Sequence, residues 1–355
     1  MGLALRPPEL PVIVETSGLD AGAVRSMVHA GDFRKVRRGA LTPRVDAGTV
    51  WQARQHEALA RVVAVARRLT NGAVVSHSSA ALLHGLWLYR MPAVVHVTQR
   101  SRDNGHGAPD IRRHRGPFGD TSVTEVHGIR VSTVERTVVE CARTMHPRDA
   151  LVVADSGMRA LVRPDRFARD LSADDVAELK ARLLEMVGRG QGHGRRRARA
   201  VVAAADPFTE SPMESVVRWV ALSRGLPAPT VQMAVRTRAG TYYADLGWAW
   251  KQRRADGSWV VVCRVLVEYD GEVKYLPDLG LVGGLDDASA VLVAEKQRED
   301  LLREDGLTRV LRVTRADLRD PDALAARLLA ALPEAVRRTV RPVPELLLGP
   351  HTPLR

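Results

Sequence analysis

Two acidic residues in the second half of the chain, Glu268 and Asp270, have the type and spacing to bind a divalent metal ion. Glu268 and Asp270 stand two residues apart at the end of a valine-rich run, and Asp245 lies in an earlier strand-like segment. Because side chains alternate along a strand, Glu268 and Asp270 would project from the same face. Clustered carboxylates are costly unless a cation neutralises them, and Mg²⁺ is the usual one. The pattern predicts metal-dependent phosphodiester hydrolysis. The alternative is that both acids simply end a strand before a turn at Gly271.

The composition indicates a basic globular protein of more than one domain. The 355 residues are too many for one ordinary core, and a hydrophobic content of 45% is normal for a globular chain. Lysine and arginine outnumber aspartate and glutamate by 53 to 41, which gives a formal net charge of +12. Because the basic residues occur in clusters, we expect a nucleic-acid partner.

The cysteines and the N-terminal sequence predict a cytoplasmic protein. Cys141 and Cys263 lie in apolar patterns without the spacing of a zinc site, and we expect buried thiols in a reducing compartment. Residues 1–9 lack the apolar stretch of a signal peptide. No segment approaches the roughly 18 apolar residues that a membrane-spanning helix needs.

Residues 1–48 predict a helix followed by a basic β-hairpin. The helix covers residues 21–30, and the hairpin covers residues 33–41 with four basic side chains, Arg34, Lys35, Arg37 and Arg38. A helix followed by an arginine-rich wing is the shape of a winged helix-turn-helix, in which the wing contacts phosphates.

Three segments of this module carry a family resemblance, namely Gly18-Leu19-Asp20, Ala30-Gly31-Asp32-Phe33 and Val36-Arg37-Arg38-Gly39. They resemble the winged-helix domain that opens abortive-infection (AbiEi-type) antitoxin-like proteins. Prolines at the start of the chain leave little room for the first helix of such a domain. A module that contacts protein instead of DNA is therefore an open alternative.

Residues 49–187 predict an α/β domain. The predicted elements are helices at 50–69 and 76–86, strands at 93–98, 110–115 and 121–131, and a helix at 133–144 that begins with a Ser132–Glu135 capping box. The run from Val74 to Leu86 and the segment from Gly128 to Glu140 resemble the central domain of the same antitoxin-like family.

Two groups of side chains in this domain are candidates for metal binding or phosphate binding, and each also has a purely structural explanation. His77 and His84 lie two helical turns apart, and without further ligands they indicate a structural histidine pair rather than a metal site. A second basic cluster could follow a phosphate backbone or simply face solvent; it contains Arg100, Arg102, Arg112, Arg113 and Arg115.

Residues 188–205 predict a flexible basic linker, because glycine alternates with arginine there. Arg195, Arg196 and Arg197 could lie along a phosphate backbone. A helix at 195–205 is expected to lead into the next domain.

Residues 206–333 predict the αβββαβα element order of restriction-endonuclease-like folds. The order consists of a helix at 212–224, strands at 231–237, 241–248 and 259–269, a helix at 288–304, a strand at 308–314 and a helix at 316–332. Five segments resemble the very-short-patch-repair-type endonuclease domain of the PD-(D/E)xK superfamily: residues 211–214, 243–248, 267–271, 296–302 and 310–314. Residues 334–355 form a proline-rich tail that we expect to be peripheral.

The resemblance implies roles for individual residues. Asp245 would be the central metal-binding aspartate, and Glu268 the first acid of the (D/E)xK element. Asp270 stands where that element has lysine; it would be a third metal ligand, or Lys274 would return the missing cation. Glu214 matches an acid that some members carry on the first helix, although a capping role for it is favoured.

The combined expectation is an α+β multidomain protein that binds DNA and hydrolyses it with Mg²⁺ or Mn²⁺. Arg298 would contact a phosphate or be an ordinary solvated charge. The main alternative is a non-catalytic transcriptional regulator or antitoxin-like protein with an inactive nuclease fold and a toxin as partner. A third possibility is an RNA-acting nuclease, because the motifs do not distinguish the two nucleic acids.

Overall fold

The computed structural model describes residues 5–46, 48–69, 72–100, 108–116, 119–189, 193–271 and 300–347. Within these ranges the chain has an α+β fold with three β-sheets, and each sheet is built from consecutive strands of the sequence. The predicted α+β class with several sheets is therefore confirmed.

The first sheet contains three short strands and one helix. Strands β1 (Val14–Glu15), β2 (Phe33–Arg37) and β3 (Ala40–Pro43) assemble with β3 in the centre, and helix α1 (Ala21–His29) precedes the β2–β3 hairpin. The Asp20 carboxylate begins α1 by accepting hydrogen bonds from two backbone N–H groups of the first turn. The predicted helix and hairpin are confirmed, but α1 buries none of its residues.

The second sheet has five strands in the order β6-β5-β4-β8-β7. Its elements are helix α2 (Val50–Ala66), β4 (Ala73–Val75), helix α3 (His77–Leu83), β5 (Val95–Gln99), β6 (Ile111–Arg115), β7 (Val123–Val126) and β8 (Ile129–Ser132). The single strand predicted at 121–131 is wrong. The chain reverses at His127 and Gly128, which both have positive φ, and makes a β7–β8 hairpin.

Five helices follow and share one core with the C-terminal elements. They are α4 (Val134–Thr144), α5 (Pro147–Val162), α6 (Ala173–Arg189), α7 (Arg195–Ala204) and α8 (Pro212–Ser223). Ala198, Val201 and Val202 of α7 are fully buried in that core. Residues 195–204 are therefore a packed helix, and not part of a flexible tether.

The predicted capping box at the start of α4 is wrong. Thr133 is the N-cap residue, and its side chain accepts the N–H of Arg136. Ser132 is buried at the end of β8, where its hydroxyl lies 2.9 Å from Thr137 Oγ1 and donates to Glu140. The hydroxyl is thus engaged in a buried polar network.

The third sheet has the order β12-β11-β10-β9, with β12 (Thr308–Thr314) parallel to its neighbour and the other pairs antiparallel. Its remaining elements are β9 (Thr230–Thr237), β10 (Gly240–Arg253), β11 (Trp259–Asp270) and the following helix α9 (Pro321–Ala331). Residues 300–303 are helical, while 288–299 of the predicted helix lie outside the described residues. Strand β10 is longer than predicted because the 250–258 segment is the end of a long hairpin that turns at Gly257.

The prediction of a peripheral tail is wrong for residues 334–347. Two short helices, α10 (Glu334–Arg337) and α11 (Pro344–Leu347), follow α9. Leu346 is buried, and its carbonyl accepts a hydrogen bond from Trp219 Nε1 at 2.8 Å. Residues 348–355 lie outside the described residues.

A buried ion pair joins the central helices to α8. Arg218 Nη1 lies 2.6 Å from Asp155 Oδ2, and the two side chains are 3% and 0% exposed. The guanidinium also donates to Thr209 Oγ1 and to the Ala204 carbonyl, and Asp155 accepts the backbone N–H of Asp206. This network connects α5, the 204–209 segment and α8 in the shared core.

Candidate active site

The register of two neighbouring strands places Asp245 beside Glu268. The antiparallel β10–β11 pairing includes Leu246 opposite Val267, so the next position on each strand carries one of these acids. The Asp245 carboxylate also accepts the backbone N–H of Tyr269 at 2.8 Å. The Asp245 side chain thus makes a further hydrogen bond between β10 and β11, just beyond the last paired residues of the two strands. This hydrogen bond holds the Asp245 carboxylate in place.

Glu214 contributes a third carboxylate from the first turn of α8. Its side chain is 6% exposed and accepts the Glu210 N–H at 2.9 Å and Gln232 Nε2 at 3.3 Å. Burial raises the pKa of Glu214 to about 8, and the nearby Asp245 carboxylate adds to that rise. Ser211 caps α8 as predicted by accepting the Glu214 N–H, but the Glu214 carboxylate turns to Glu210 and Gln232. The Ser211 side chain also hydrogen-bonds the Glu214 carboxylate, so Glu214 takes part in the helix cap as well as lying beside Asp245.

Asp270 lies on the same face of β11 as Glu268, by strand alternation. Its Oδ1 is buried and has no hydrogen-bond partner among the described residues, and its Oδ2 lies 3.6 Å from Arg312 Nη1. Arg312 is also the residue of β12 that pairs in register with Glu268. A guanidinium therefore stands beside the acids, whereas Lys274, the cation considered from the sequence, lies outside the described residues.

The acidic side chains in this region have the donor type that a hard divalent cation takes, although among the described residues only a group of histidines brings three ligand atoms within 4.8 Å of one another. The acidic donors are carboxylate oxygens, which Mg²⁺ and Mn²⁺ prefer over nitrogen or sulfur ligands. Two features of the metal-free arrangement are unfavourable: the unsatisfied Oδ1 of Asp270, and the raised pKa of Glu214 next to Asp245. A bound cation would accept a lone pair from Asp270 Oδ1. Its positive charge would also lower the pKa of Glu214.

Glu214→Gln should stabilise the metal-free protein at pH 8 and have little effect at pH 5. The folded-state pKa of about 8 lies above the ordinary value of 4.5, so the wild type loses stability as pH rises between these values. Glutamine removes that loss, which we expect to be on the order of 3 kcal/mol. Urea unfolding in EDTA at both pH values measures it, with the exposed Glu178→Gln as control. Equal pH dependence in wild type and Glu214→Gln would show that the buried carboxyl is not coupled to folding.

The basic residues predicted to contact nucleic acid fall into two groups. Exposed side chains without a described ion pair are Lys35, Arg38, Arg195 and Arg196. The other described residues are engaged within the protein: Arg34 with Glu57, Arg37 with Asp110, and Arg197 with the backbone carbonyls of residues 143 and 145. Arg298 lies outside the described residues.

No protein-family model matches the chain. It is 29% identical over 199 residues to two curated proteins named only as uncharacterized, from two strains of Mycobacterium tuberculosis. The alignment covers 56% of this chain and 60% of each relative, so the chain spans less than two thirds of the length of the relatives it matches. In the part of the chain that the structure describes, no helix has the length and apolar content to cross a membrane.

Proposed function

We propose that the protein binds DNA and hydrolyses its phosphodiester bonds with Mg²⁺ or Mn²⁺ held by Asp245, Glu268 and Asp270. The observation that carries the proposal is the juxtaposition of Asp245 with Glu268 on adjacent strands, next to the buried Glu214. The order of α8, three antiparallel strands and the parallel β12 supports a restriction-endonuclease-like fold for this region.

Each acid has a distinct part in the proposed chemistry. Asp245 is oriented by the Tyr269 N–H and offers its carboxylate to the cation, and Glu268 offers a second carboxylate from the neighbouring strand. When bound, the cation polarises the scissile phosphate and lowers the pKa of a water molecule. Glu214, buried beside Asp245 with a raised pKa, holds a proton that it can release when positive charge arrives.

Arg312 is a positioning residue in this proposal. It pairs with Asp270 and lies in register with Glu268, so it restores positive charge where the resemblance leads one to expect lysine. Its guanidinium lies near one oxygen of the Asp270 carboxylate, and the buried Oδ1 has no hydrogen-bond partner among the described residues.

The test is a cleavage assay on matched substrates. Duplex DNA, single-stranded DNA and RNA of the same sequence are incubated with the full chain in Mg²⁺, Mn²⁺ or EDTA. The proposal requires cleavage of DNA in either metal and none in EDTA. Preferential cleavage of RNA would replace the DNA assignment, and failure to cut any substrate would reject the hydrolase.

A non-catalytic regulator is the second candidate, and Asp270 at the lysine position is the observation that favours it. In that case the protein would bind DNA in EDTA as well as in Mg²⁺, with a steep dependence on salt. A toxin partner would fit this second candidate.

Replacing Lys35 and Arg38 with alanine should weaken DNA binding without disturbing the fold, because both side chains are exposed on the wing. Each lost phosphate contact should reduce the slope of log affinity against log salt by about 1. Fluorescence anisotropy at several salt concentrations measures the slope, with Arg182→Ala as the control because that side chain already pairs with acids. An unchanged slope in the double variant would remove the wing from the DNA interface.

A further inference from the structure

Three histidines from separate elements come together at the second, five-stranded sheet. His77 begins α3, His96 lies on β5 and His114 on β6, and one ring nitrogen from each lies within 4.8 Å of the other two. His96 Nδ1 is 2.9 Å from His114 Nε2, and the rings of His77 and His114 stack with centroids 3.6 Å apart. His84, which the sequence spacing paired with His77, lies apart from this group, and its Nε2 is 2.7 Å from the Ser132 carbonyl oxygen.

The surroundings of His77 resemble the outer ligand shell of a metal site. Its Nδ1 lies 2.9 Å from Ser76 Oγ and 3.6 Å from Glu140 Oε2, which leaves Nε2 as the atom able to face a metal. A carboxylate or hydroxyl behind a histidine fixes its tautomer and strengthens it as a ligand. His77 also has φ of +53°, a conformation that is unfavourable for a residue with a Cβ and is held here by the surrounding structure.

All three imidazoles are neutral at pH 7, the form that binds metals. Burial lowers the pKa of His96 and of His114 to about 4, nearby Arg112 lowers both further, and His114 also lowers the pKa of His96. Burial likewise lowers the pKa of His77 well below its usual range, and Arg136 contributes. Arg136 is itself paired with Glu140 at 2.7 Å, which offsets its charge near the cluster.

We propose that His77, His96 and His114 bind one transition-metal ion, with Zn²⁺ as the ion best suited to three imidazole ligands. Zinc–nitrogen bonds of about 2.0–2.1 Å place the nitrogens of a tetrahedral site about 3.3 Å apart. His96 Nδ1 and His114 Nε2, which lie 2.9 Å apart, therefore need to separate slightly, and any nitrogens farther apart, up to 4.8 Å, need to approach. The stacked His77 and His114 rings also need to turn so that their lone pairs converge. The ion links α3 to the β5–β6 edge of the sheet and is separate from the carboxylate site in donors and location.

The first test is a titration of tag-free full-length protein, stripped with EDTA, with Co²⁺ and then with competing Zn²⁺. The expected result is one ion per chain with the visible absorption of tetrahedral Co²⁺, displaced by Zn²⁺, together with a higher Tm in Zn²⁺. Absence of these bands and of the Tm increase in the wild type overturns the proposal, whatever the variants do.

The second test assigns the ligands. His96→Gln and His114→Gln should each weaken Co²⁺ binding by more than about 100-fold, since losing a direct ligand exceeds the 10–100-fold cost of losing an outer-shell partner. His127→Asn is the matched control, because His127 is an exposed residue of the same sheet and asparagine tolerates its positive φ. Unchanged Co²⁺ binding in both glutamine variants places the ion elsewhere and also overturns the proposal.

Discussion

Asp245→Asn should abolish DNA cleavage, with a loss of about 10³-fold or more, and leave the fold intact. In the proposed site the aspartate would supply a metal-bound oxygen and a negative charge, and losing several kcal/mol of metal-dependent transition-state stabilisation corresponds to this factor. Asparagine keeps an oxygen at the position that accepts the Tyr269 N–H, so the contact between β10 and β11 persists. A loss of cleavage in Asp245→Asn can therefore be attributed to the missing carboxylate rather than to a disturbed β10–β11 contact, which Asp245→Ala would not allow.

The matched control for Asp245→Asn is Asp256→Asn in the same hairpin. Asp256 lies at the exposed turn, where its carboxylate accepts the N–H and hydroxyl of Ser258, and asparagine can make the same turn. Cleavage rates are compared under single turnover in Mg²⁺, and far-UV circular dichroism checks the fold. If Asp245→Asn cut DNA at the rate of Asp256→Asn, the assignment of Asp245 as a metal ligand would be wrong.

Arg218→Met should destabilise the protein by about 3–5 kcal/mol, the usual cost of leaving one member of a buried ion pair without its partner. Asp155, the residue left behind, is fully buried. Burial already raises the pKa of Asp155, and Arg218 opposes that rise, so the variant should bind a proton at Asp155 and recover part of its stability at low pH.

Urea unfolding at pH 7 measures the effect, and Arg224→Met at the C-terminal end of the same helix is the control. Arg224 pairs with Asp322, whose side chain is 86% exposed, and such pairs contribute about 0–1 kcal/mol. The double variant Asp155→Leu with Arg218→Met should regain most of the lost stability, since no charge is then buried alone. Equal losses for Arg218→Met and Arg224→Met would contradict the role of the buried pair.

The elements of the third sheet could be predicted from the sequence because each carries a strong local signal. The alternation along β9 to β11, the Asp256-Gly257 turn and the Ser211 cap are all properties of neighbouring residues. Glu268 could be singled out for the same reason, whereas Asp245 is singled out through the family resemblance. Their adjacency, however, depends on the β10–β11 register, which is a property of the folded sheet.

The features that were missed arise from contacts between distant segments. Arg312 reaches Asp270 only because β12 runs parallel to β11, and nothing in the five residues around it specifies that pairing. His77, His96 and His114 have no regular spacing, and it is the order of β4, β5 and β6 that brings them together. Ser132 matched a capping pattern, but burial among polar side chains determined its actual partners.

The central claim is that the carboxylates around Asp245 and Glu268 form a metal-dependent nuclease centre. The most direct measurement is cleavage of supercoiled plasmid by the full-length protein in Mg²⁺, in Mn²⁺ and in EDTA, beside Glu268→Ala purified in the same way. We expect the wild type to nick or linearise the plasmid in either metal and not in EDTA, and the variant to leave it intact. Equal cleavage by both proteins, or binding without cleavage in every metal, would contradict the claim.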